Sequence, residues 1–170
     1  FLPAGSGISM RSSNNKYLEV YNGTGATVDL ANYQIRLYSN GAASPTTTNT
    51  LSGLLAHGAT IVYRNSAAVV YGGTSTILSA VNFNGDDAIA LYNTVTGLNE
   101  DIFGVIGNDP GSAWTLGGNT TVDKTLRRKS TVTGGITTNP SGTGPGAFTT
   151  LATEWDQFNQ DVVTGLGAHT

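Results

Sequence analysis

Cysteine is absent from the 170 residues, which excludes disulfides, thiolate-held metals and a cysteine nucleophile. Charge is scarce as well: 11% of residues are Asp, Glu, Lys or Arg, against roughly 25% in an average soluble domain. The polar surface must therefore be built mostly from uncharged groups. Eight basic residues face eleven acidic ones, a formal net charge of −3. That balance leaves no cationic footprint for neutralising phosphates, so nucleic acid is not expected as a partner. No run approaches the roughly 20 apolar residues that cross a bilayer, and no membrane span is expected. The chain starts at Phe1 rather than Met, which reads as a mature product whose leader has been removed, and hence as a secreted or cell-surface protein.

What is present is Thr, Gly, Asn and Ser among an ordinary 38% of hydrophobic residues. That balance suits short strands joined by tight turns better than helices. A chain of this length buries one core without staples, and one domain is the default. Alternating segments recur with turn signals between them, the signature of a sandwich or barrel. Lys16 to Tyr21 (KYLEVY) places Leu18 and Val20 on one face, and Gln34 to Tyr38 (QIRLY) turns Ile35 and Leu37 inward. These two are expected to be consecutive antiparallel strands, with a short strand near Val28 to Leu30 between them. Asn40 to Asn49 reads as an exposed loop, and Ser66 to Tyr71 as one helical turn after a Ser cap. Ala88 to Tyr92, Asp101 to Ile106 and Thr125 to Val132 complete the strands, and Glu154 to Phe158 should dock aromatics on the sandwich after an exposed Gly/Thr-rich excursion from 133 to 150.

The ordered segments SSNNKYLEVYNGTG (12–25), VDLANYQIRLYSNG (28–41), NFNGDDAIALYN (82–93), DIFGVIGNDPGSAW (101–114), KTLRRKSTVTGG (124–135) and GLGAHT (165–170) together resemble the lamin-tail domain in its secreted bacterial form. The resemblance spans most of residues 12 to 170. It implies an all-β, immunoglobulin-like antiparallel β-sandwich with long Gly/Thr-rich loops, no catalytic site and no cofactor of its own. Such domains are often appended to exported enzymes or surface proteins. One departure lies at the start. Where the family has an apolar-acidic first strand ending in Glu-Gly, this chain has FLPAGSGISMR, with Met10 and Arg11 in those two places. The expected organisation is thus an N-terminal segment, 1–11, donated to a neighbouring subunit, followed by a sandwich domain, 12–170.

Several groups compete for a chemical role. Asp86 and Asp87 read first as turn hydrogen-bonding groups, with a calcium contact shared with Asp109 or Asp101 as the alternative. His57 and His169 stand without a nucleophile motif, which leaves no triad. Trp114 and Trp155 read as core or edge packing, or as a ligand surface for polysaccharide. Arg127, Arg128 and Lys129 read as an ordinary solvated strand. The leading function is an extracellular structural module that joins copies of itself by strand addition, in a filament or surface layer. Phe1 and Leu2 would anchor apolar pockets of the neighbour, Pro3 and Gly5 would form the hinge, and Ile8 and Met10 would lie inward in the neighbour's sheet. The competing reading is an accessory module that holds a partner enzyme or adheres to polysaccharide or cell wall. A hydrolytic enzyme is the least favoured.

Overall fold

A computed structural model describes residues 7–10, as backbone, and 14–169. The first strands are β1 (Gly7–Met10), β2 (Tyr17–Tyr21), β3 (Val28–Asp29), β4 (Tyr33–Tyr38), β5 (Thr47–Thr50), β6 (Leu54–Leu55) and β7 (Thr60–Arg64). They are followed by β8 (Thr76–Ile77), β9 (Ala88–Asn93), β10 (Leu98–Phe103), β11 (Thr115–Leu116), β12 (Asn119–Thr120), β13 (Lys124–Arg128) and β14 (Trp155–Phe158). A single helical turn, α1 (Leu151–Glu154), leads into β14.

Two sheets form the sandwich: six strands in the order β14-β13-β1-β2-β7-β8, and four in the order β10-β9-β4-β5. All pairs are antiparallel except β7 with β8. Leu18, Val20, Tyr63, Leu126 and Trp155 meet Ile35, Leu37, Ile89, Leu91, Ile102 and Phe103 in one core, as alternation predicts for two sheets packed face to face. Loops add Phe83, Trp114 and Phe148 to it. Trp114 leaves no room at Gly104, whose φ of 84° is already a conformation that favours glycine and whose added Cβ would lie 2.7 Å from the ring.

The first two long strands are not sheet neighbours. β2 pairs with β1 and β7, whereas β4 pairs with β5 and β9 in the other sheet. Asn22, fully buried, makes the crossing: its amide donates to the carbonyls of Ala26 (2.8 Å) and Leu55 (2.7 Å), and its oxygen accepts from Thr24 N–H (3.0 Å). The chain is thereby turned out of one sheet and toward the other.

Three local expectations change. Ser66 to Tyr71 forms no helical turn, because its N–H groups find side-chain oxygens instead: Asn65 for Ala67, Asn15 for Val69 and the Tyr17 hydroxyl for Tyr71. Thr47–Thr50 is the edge strand of the four-stranded sheet rather than a loop; threonines favour a strand without displaying an apolar pattern. The strand expected to reach Val132 stops at Arg128, where Lys129 to Val132 turns the chain.

Candidate functional site

The most distinctive arrangement lies on the six-stranded sheet, where the first and last described segments meet. β1 lies inside the sheet, not at its edge. Gly7, Ile8, Ser9 and Met10 oppose Arg127, Leu126, Thr125 and Lys124 on β13, while Ile8 and Ser9 also oppose Leu18 and Tyr17 on β2. Ile8 and Met10, expected in a neighbour's sheet, are therefore paired within their own chain. Phe1, Leu2, Pro3 and Gly5 lie outside the described residues.

The outer face of this sheet is covered by the chain's last stretch. Val163 and Leu166 pack with Tyr71 against a small second cluster of Tyr17, Val62 and Ala68. Arg127 donates to the carbonyl and hydroxyl oxygens of Thr164, and the His169 ring lies 4.2 Å from that of Tyr21. Gly167 N–H donates to the carboxylate of Glu19. Gly167 has a φ of 91°, a conformation that favours glycine, and a Cβ there would press on the Tyr71 hydroxyl.

Glu19 is 4% exposed, and burial pushes its carboxyl up to about 7 against the opposing pull of the Gly167 N–H and Arg127. His169 is shifted down, also by burial. Neither role was foreseen. The available signal was an acidic residue at the centre of an otherwise tyrosine- and aliphatic-rich strand, KYLEVY.

The expected ligand groups are otherwise engaged. Asp87 accepts from Asn40 N–H and Asn84 N–H, each at 2.9 Å, and is a turn clamp. Asp109 accepts from Gly111 N–H at 2.8 Å. Asp86 has its carboxyl raised by burial and then by nearby Asp87 and Asp109. Asp101 binds Arg128 and Ile136 N–H. Among the described residues no group of three His, Cys, Asp or Glu side chains is disposed to hold a metal. His57 accepts from Gly25 N–H at 3.1 Å within a turn.

Trp114 and Trp155 are 0% and 2% exposed, so the ligand surface raised for them is corrected: both rings pack edge-on against phenylalanines. The basic cluster is likewise not simply solvated. Arg127 reaches Thr164 and covers the Phe158 ring at 4.4 Å, Lys129 donates to Thr153 O at 2.9 Å, and Arg128 is buried.

A cleft of about 500 Å³ opens among Asn14, Asn65, Ser66, Ile77, Ser79 and Asn82. Its central amide is already satisfied, Asn65 donating to Val81 O and Asn82 Oδ1 while accepting from Ala67 N–H.

Among the described residues no helix is long and apolar enough to cross a membrane. The family model described as Lamin Tail Domain matches residues 7–107. No curated protein matches the chain.

Proposed function

The chain belongs to the lamin tail domain family, an immunoglobulin-like, non-enzymatic class of module, and from that premise we propose that it is a non-catalytic interaction module working outside the cell, joined to copies of itself by exchange of the first strand. The observation that carries this reading is the position of β1 between β2 and β13. A strand so placed contributes backbone hydrogen bonds on both edges. If it is withdrawn, β2 and β13 each present an unpaired row of N–H and C=O groups facing a slot one strand wide. A second copy's Gly7–Met10 restores the same pairs, so exchange replaces every bond it breaks and costs mainly the entropy of joining two chains. A head-to-tail exchange that does not close on itself propagates as a fibre. The sparse charge, 11% of residues, favours close packing of like subunits because their mutual repulsion is small. The polysaccharide reading loses its aromatic platform with both tryptophans buried.

The lack of native cysteine allows a direct test. Ser9 and Thr125 are register partners, so the Ser9→Cys, Thr125→Cys chain is oxidised at a series of concentrations and its mass read without reductant. Covalent dimers and ladders that grow with concentration, matched by light scattering of the unmodified chain, support exchange. A bridge confined to single chains at every concentration, with monomeric scattering, overturns it.

A further inference from the structure

We infer that residues 163–169 form a pH-sensitive strap, seated across the six-stranded sheet while the Glu19 carboxyl is protonated and loosened when it ionises. The geometry comes first. Glu19 lies on the outer face of β2 with Tyr17 and Tyr21, opposite Val62 of β7. The strap covers this face together with Ala68 and Tyr71, through Val163 and Leu166, the Gly167 N–H on the carboxylate and the His169 ring on Tyr21. The strap is held by few groups, and Thr164, Gly165, Gly167 and Ala168 are themselves exposed. It is therefore the element that moves most cheaply when the carboxylate needs water.

The ionisable groups around Glu19 decide the direction. Arg127, on β13, attracts the carboxylate, but its guanidinium is shared with the strap's Thr164 and the Phe158 ring, and its register partner on β14 is Asp156. Arg64, on β7, donates to the carbonyls of Asn65, Ser66 and Ala68. Tyr17 and Tyr21 flank Glu19 on β2, and the Tyr71 ring packs edge-on against Tyr17. The strap itself brings His169, and Asp161 lies just before it. The net result is that burial outweighs the attraction and holds the carboxyl near 7 instead of 4.5. A strap that returns Glu19 to water on leaving returns it toward 4.5, so seating weakens by up to about 300-fold from acid to alkaline pH. His169 acts in the opposite sense, since burial disfavours its cation and loosens the strap at acid pH. The two effects oppose one another at acid pH, and release of the strap uncovers Glu19 and the neighbouring Val62.

The test uses the full chain in solution. The Glu19 side-chain carbon shift and the backbone order of Gly165 and Gly167 are followed by NMR from about pH 5 to about pH 9, in the native chain and in the Glu19→Gln and His169→Phe variants. The expected result is a Glu19 transition near 7 with loss of order at the two glycines over the same interval. Glu19→Gln should abolish the alkaline loss, and His169→Phe should leave it intact. A Glu19 transition at the ordinary carboxylate position, or glycines equally ordered at both ends of the range in the native chain, overturns the inference. The native titration decides the matter even if a variant fails to fold.

Discussion

Arg128 on β13 reaches across the sandwich to Asp101 on β10, in the opposite sheet, with two guanidinium nitrogens on two carboxylate oxygens. The arginine side chain has no exposure, and its Nε lies 3.4 Å from a Glu154 oxygen. Asp101 also accepts the Ile136 N–H at 2.8 Å. A bidentate pair of this kind fixes register as well as distance between the sheets.

Asp101→Ala should therefore leave a buried, partly compensated cation and lower unfolding stability by about 3 kcal/mol, measured as a fall in the urea midpoint. Replacing both partners by apolar residues, Asp101→Leu with Arg128→Met, should recover much of that loss. A single substitution that costs no more than a surface change contradicts a structural role for the pair.

Glu19 predicts a pH dependence of global stability. Its carboxyl lies at about 7 in the folded chain and near 4.5 ordinarily, so its contribution is fully present below about 4.5 and is lost as pH rises through about 7. The loss is at most about 3 kcal/mol, and smaller to the extent that the strap is released before the chain unfolds. Urea midpoints compared at acid and mildly alkaline pH should show this loss in the native chain and a much smaller one in Glu19→Gln.

Asn22→Ala should cost about 2 to 3 kcal/mol, since it strands the buried Leu55 carbonyl and frees the crossing between sheets. Asn22→Asp should be worse at neutral pH, because a carboxylate would face two carbonyl oxygens, and should improve as pH falls. Equal midpoints for the two variants at neutral pH would count against this geometry.

Two glycines separate backbone strain from steric exclusion. Both Gly104 and Gly111 have positive φ, but an added Cβ meets the Trp114 ring at Gly104 and nothing within 4 Å at Gly111. Gly111→Ala should cost about 1 kcal/mol and Gly104→Ala clearly more. Thermal melts of the two variants provide the comparison.

Much of the sandwich was legible from alternation. Leu18, Val20, Ile35, Leu37, Ile89 and Leu91 all face the core as their spacing requires. The family was legible from motif order. What escaped was governed by groups that carry no pattern. Thr47–Thr50 is a strand without an apolar face, and Asn22 redirects the chain through side-chain hydrogen bonds that only the folded state assembles. Arg128 looked like a surface charge because its partner Asp101 lies on another strand. The site around Glu19 was hidden for the same reason: β2 is buried on both faces because distant segments, Ala68 to Tyr71 and Val163 to Gly167, fold back over it.

The placement of β1 between β2 and β13 also sets a timetable for synthesis. Ile8 emerges from the ribosome well before its partner Leu126 on β13, with β2 to β12 made in between. Until then the larger sheet lacks one wall of its central slot, and long-range pairing of this kind is slow to close. The nascent chain must carry an unfinished strand edge while the residues between Ile8 and Leu126 are made, so the interval in which another extended segment competes for that slot is fixed by ribosome speed and crowding and not by the stability of the finished sandwich.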